Sequence, residues 1–93
     1  MNQTVVPVEG YLNQTTGIAL RDHVRELLAL KPPQMTLDFS TTKLVNSIGV
    51  SFLLELIDLA AKQGTKLEFT GVGADINDLF QLLGISARVP VKP

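Results

Sequence analysis

Three short apolar or β-branched runs alternate with three stretches of helical periodicity, and that alternation leaves this chain few folds to choose from. Thr4 to Val8 reads as a first strand, and Pro7, which has no amide to donate, places it at a sheet edge or near a strand end. Gly10 punctuates it, and the polar segment Asn13 to Thr16 follows. From Gly17 to Leu30, the residues Leu20, Val24, Leu27 and Leu28 recur at helical spacing, with Asn13, Thr15 or Thr16 as the cap and Pro32-Pro33 as the stop. Met35 to Phe39 is a second strand, short and apolar enough for a buried central position. A second helix runs from about Ile48 to Gln63, with Gly64 just past its end.

Lys66 to Thr70 is the third strand. Asp75 is the expected cap of a third helix, in which Ile76, Leu79, Phe80 and Leu83 form one stripe closed by Gly84-Ile85. Arg88 to Val91 adds a last short strand beside Pro90. The order β-α-β-α-β-α-(β) implies right-handed crossovers. The expected fold is therefore α/β, a mostly parallel sheet of about four strands packed with three to four helices, in one domain over residues 1–93.

Apolar residues make up 45% of the chain and charged ones 18%, so it can bury a core and does not read as disordered. Eight basic residues face nine acidic ones without clustering, which argues against a nucleic-acid partner. There is no cysteine, hence no disulfide or thiol chemistry. Met1-Asn2-Gln3-Thr4 has no basic or apolar run of the kind an export signal uses, so export is not expected. The longest near-apolar stretch, Ile48 to Ala61, is broken by Ser51, Glu55 and Asp58 and is too short for membrane insertion. A cytoplasmic location is expected.

The segment from Asp38-Phe39-Ser40 to Leu44-Val45-Asn46-Ser47 concentrates the functional signal. A second apolar pulse breaks at Asn46-Ser47 and a long apolar helix begins at once, so a hydroxyl sits at a helix N-terminus where an anion is welcome. Two readings of Ser47 stand side by side: an N-cap serine, and a phosphoacceptor whose phosphate would meet free backbone donors. On the second helix, Ser51, Glu55, Asp58 and Lys62 form one narrow polar strip. The apolar remainder is either covered by neighbouring helices or partly exposed for a partner.

Enzymatic readings find little material. His23, the only histidine, lies on a charged stretch and reads as solvated. One histidine without cysteine gives a metal site or a Ser-His-carboxylate arrangement little material. Val45 stands where a nucleophile elbow needs glycine, and no phosphate-binding loop is present. Asp38 reads as a strand-end residue bonding loop amides. We expect no enzyme, no cofactor and no metal.

Asp38-Phe39-Ser40, Val45-Asn46-Ser47-Ile48-Gly49-Val50, Gly64, Gly71 and the stretch from Asp75 to Gly84-Ile85 together resemble a STAS domain of the anti-sigma factor antagonist family, over about Val5 to Val91. The family's signature is Asp-Ser-[Ser/Thr]-Gly between a strand and the second helix. Here Ser47 takes the place of the phosphorylated serine and Gly49 matches, while Asn46 replaces the Asp and Ile48 the second hydroxyl. The resemblance implies a regulatory binding module whose partner is an anti-sigma factor acting as a serine kinase. Docking would use Asn46, Ser47, Ile48, Gly49, Val50 and Ser51, and phosphorylation of Ser47 would block it. An alternative is a STAS adaptor subunit of a lipid-transport ABC ATPase, since Leu56-Ile57-Asp58-Leu59-Ala60-Ala61-Lys62-Gln63-Gly64 is similar to one such subunit. A non-phosphorylated STAS scaffold is a further possibility. Family members usually begin with an extra strand for which this sequence has too few residues, implying a sheet edge open to homodimer formation.

Overall fold

The computed structural model describes residues 4–93. Its elements are β1 (Thr4–Pro7), β2 (Gly10–Leu12), α1 (Gln14–Leu28), β3 (Gln34–Asp38), β4 (Thr42–Val45), α2 (Ser47–Gln63), β5 (Lys66–Thr70) and α3 (Ala74–Leu82), followed by a 3-10 helix over Ile85–Ala87. The readings placed on Met1 to Gln3, namely the missing export signal and the missing extra strand, lie outside the described residues.

One parallel sheet runs in the order β1-β3-β5, with β3 in the middle as its apolar run suggests. Leu37 is in register with Val6 on one side and Phe69 on the other, and all three are buried. Side chains alternate across a strand, so Gln34, Thr36 and Asp38 take the opposite face and are only partly covered. Helix α3 closes one end of the core by wedging Phe80 against Phe39 and Phe69, with ring centroids 5.5 and 5.7 Å away.

The structure refines the strand expectations in two ways. First, the parallel strands among the described residues number five, three in one sheet and two in a separate ribbon made by β2 and β4. Each is short, and Tyr11 and Leu44 point outward while their neighbours Leu12 and Val45 point in. A single buried position per strand gives no alternation to read. Second, Arg88 to Val91 forms only an isolated bridge from Val91 to Phe69. Pro90 has no amide with which to extend that ladder.

The helix boundaries follow capping chemistry. Asn13 caps α1, accepting from the Thr16 amide at 3.1 Å while the Asn13 amide donates to Thr16 Oγ1 at 2.9 Å. This reciprocal pair starts the helix three residues before Gly17. Gly64 takes the left-handed conformation that ends α2, with φ at 77°. Asp75 does not cap α3: the cap is Gly73, with no side-chain bond, and Asp75 lies in the first turn. Within the predicted α3 stripe, Ile76 and Phe80 are buried but Leu83 is exposed, because the helix ends at Leu82 and Ile85 fills the core in its place.

Candidate functional site

The start of α2 is built from one backbone bond and one side-chain cap. The Asn46 amide donates to the Leu12 carbonyl at 3.1 Å, fixing the turn to the end of β2. The Asn46 side chain accepts from the Gly49 amide at 2.7 Å, so Asn46 is the cap and Ser47 is the first helical residue. The Ser47 cap reading is corrected by one position. Asparagine caps as well as serine because its short side-chain carbonyl reaches the same amide.

Gly49 lets this corner close. A Cβ there would stand 2.5 Å from the Leu12 carbonyl oxygen, so only a hydrogen fits. Gly49 and Val50 are therefore buried and anchor the site from beneath rather than presenting a surface. Asn46, Ser47, Ile48 and Ser51 are exposed around them. Ser51 Oγ donates to the Ser47 carbonyl at 3.3 Å, and Ser47 itself is exposed.

Two residues that sequence reasoning did not assign complete the face. Tyr11 and Leu44 are register partners on adjacent parallel strands; β4 leads directly into α2, and β2 meets the same corner through the Leu12 carbonyl. They are 57% and 56% exposed, and Ile48 is 46% exposed. Three large apolar side chains are thus exposed on the β2-β4 ribbon and in the first turn of α2 that carries Ser47. The available signal was the pairs Tyr11-Leu12 and Leu44-Val45, since adjacent apolar residues on a strand must point to opposite faces.

Along the rest of α2, Leu53, Leu56, Ile57 and Ala60 are buried, while Ser51, Glu55 and Asp58 form the exposed strip. Neighbouring elements cover most of the helix, which leaves Ile48 in its first turn as its exposed large apolar side chain. Arg25 and Arg88 pair with Glu55 and Asp58 along the strip. Asp38 accepts from the Ser40 amide at 2.9 Å, the strand-end role expected of it. No group of His, Cys, Asp or Glu that could hold a metal occurs among the described residues, and no helix there is long and apolar enough to cross a membrane.

Residues 1–90 match the family model described as Mlab, STAS domain. The fold superposes on an anti-sigma factor antagonist from Mycobacterium paratuberculosis with a TM-score of 0.85 at 23% identity, covering 98% of this chain and 77% of that one. The STAS domain of a SulP transporter from Vibrio cholerae gives 0.84 at 20% identity, covering 98% and 73%. The anti-sigma factor antagonist SpoIIAA in its unphosphorylated form gives 0.71 at 14% identity, covering 86% and 74%. At these identities the likeness is one of fold. No curated protein sequence matches the chain.

Proposed function

This chain belongs to the STAS domain family, and from that premise we propose that it is a non-enzymatic subunit that docks an ATP-binding protein through the first turn of α2. The observation that supports this reading is the exposure of Tyr11 and Leu44 on the β2-β4 ribbon and of Ile48 beside Ser47 in the first turn of α2. A rigid, glycine-closed corner presenting three large apolar side chains suits protein docking better than small-molecule chemistry.

The partner we assign is the ATPase subunit of a lipid-transport ABC complex. Two features favour it over a kinase. The run Leu56 to Gly64 is similar to a STAS subunit with that role. Ile48 also places an apolar side chain where the phosphorylated relatives carry a hydroxyl. Burying what Ile48 exposes would add on the order of 1 kcal/mol to a standing interface at about 25 cal/mol per Å².

The second reading is an anti-sigma factor antagonist that binds a kinase-type anti-sigma factor and is released by phosphorylation of Ser47. Its support is the position of Ser47 and the likeness to anti-sigma factor antagonists. Either partner places the domain in the cytoplasm. Affinity capture from the native host, with wild type and Ile48→Asp in parallel, separates the readings. An ABC ATPase retained by wild type and lost by the variant is the expected result. A kinase that phosphorylates Ser47 decides for the second reading, and capture that is equal for both proteins overturns the assigned face.

A further inference from the structure

A cleft of about 500 Å³ lies some thirteen residues further along α2, at the opposite end of the helix from Ser47 and roughly 20 Å away by helix rise. Ile57 and Ala60 of α2 form one wall, Val89 and Pro90 the other, and Leu67 of β5 the floor. Its volume falls within the range of ligand sites.

The floor carries unpaired backbone. The Lys66 amide donates to the Pro33 carbonyl and the Thr70 carbonyl accepts from Phe39, so Lys66, Glu68 and Thr70 turn their backbone groups toward β3. Leu67 and Phe69 therefore turn theirs to the other edge. Phe69 is satisfied there, donating to the Pro90 carbonyl at 2.9 Å and accepting from Lys92 at 2.8 Å. One step earlier the same ladder would need an amide from Pro90, which has none. The Leu67 C=O therefore lacks that donor, the Leu67 N–H finds no carbonyl on the Arg88 side either, and this largely buried residue lines the cleft.

An adjacent donor and acceptor spaced for a strand, beside an apolar slot, is the recognition surface for an extended peptide. The rim adds a charge preference. Glu68 pairs with Lys92 and Arg88 with Asp58, whereas Lys66 has no ion-pair partner among the described residues. We propose that this cleft docks an extended segment of a partner protein, which adds its backbone to Leu67, seats one apolar side chain between Ile57 and Val89, and sets an acidic residue against Lys66. This site is separate from the Ser47 face and does not depend on it.

Selection of linear heptapeptides by display against the folded full chain, followed by NMR titration of a synthetic winner, tests the proposal. The enriched peptides are expected to carry an acidic residue beside an apolar one and to shift the amides of Leu67, Ala61 and Val89. Bound peptide is expected to slow exchange of the Leu67 amide by about tenfold or more. Ala61→Arg, an exposed substitution on the cleft wall, should weaken binding by at least about tenfold, while Ile48→Asp should leave it unchanged. Failure to enrich any peptide, shifts clustered on residues 44–51, or full binding by Ala61→Arg overturns it.

Discussion

Gly49 meets Leu12 so closely that a Cβ on the glycine would lie 2.5 Å from the Leu12 carbonyl oxygen and 3.0 Å from its carbon. Both obstacles are backbone, and the same carbonyl accepts from the Asn46 amide. Neither strand nor helix can yield without breaking the bond that places the corner. Gly49→Ala is therefore expected to destabilise the domain by about 1–3 kcal/mol, as overpacking does in a closed core. Thermal unfolding should show a fall of about 4–8 °C for each kcal/mol lost.

Asn46 supplies the side-chain cap of α2, a single bond of 2.7 Å to the Gly49 amide. Removing it in Asn46→Ala should cost about 1 kcal/mol in urea unfolding. Asn46→Asp keeps an acceptor of the same reach and adds a negative charge at the helix start. It should match wild type or exceed it by about 0.3–1 kcal/mol at low salt, with the gain shrinking as salt rises. A large loss in Asn46→Asp would mean that the side chain works mainly through its amide donor.

How much of this was legible in the sequence depended on whether a segment buried one continuous face. The central strand around Leu37, the end of α2 at Gly64 and β5 were readable because apolar period and terminator residues agree there. The ribbon of β2 and β4 was not, since Leu12 and Val45 are the lone buried side chains of their strands. The start of α2 was legible to within one residue, since one of the two readings of Ser47 made it the cap that Asn46 supplies. A sequence shows that Asn46 and Ser47 can both cap, and only the backbone path decides which one is still extended. The outer residues Tyr11 and Leu44 were missed for the same reason as their strands.

Gly17 offers a contrast to Gly49. A Cβ there would lie 2.3 Å from Cδ2 of Phe52, a ring that is only partly buried and stacks under Arg21. A side chain can rotate away where a carbonyl cannot. Gly17→Ala should cost less than Gly49→Ala, and combining it with Phe52→Leu should recover part of the loss. A double-mutant cycle by urea unfolding is expected to give a coupling of about 0.5–3 kcal/mol, and strict additivity would show that the two helices adjust elsewhere.

The rings of Phe39, Phe69 and Phe80 pack with centroids 5.0 to 5.7 Å apart, and all three are buried. Phe80 is the only one of them contributed by α3, so it fastens that helix to the sheet. Phe80→Ala should cost about 3–5 kcal/mol. Against a total stability of about 5–15 kcal/mol for a domain, that is enough to loosen α3 before the rest. Hydrogen exchange in residues 74–82 should rise more than in β3.

Ser47 allows stability and docking to be read separately. Its hydroxyl is exposed in the first turn of α2, and the bond from Ser51 is to its carbonyl, which any substitution retains. Ser47→Ala should therefore leave the melting temperature almost unchanged. Ser47→Asp places a negative charge at the positive end of the helix dipole and should stabilise the fold by about 0.3–1 kcal/mol. On the proposed docking face the same charge lies next to the exposed Ile48 and would have to be desolvated by a partner. Binding of the captured partner should then fall by about tenfold or more in Ser47→Asp while Ser47→Ala binds like wild type, measured by calorimetry on the purified pair. A stabilised Ser47→Asp with undiminished binding would place the interface elsewhere on the domain.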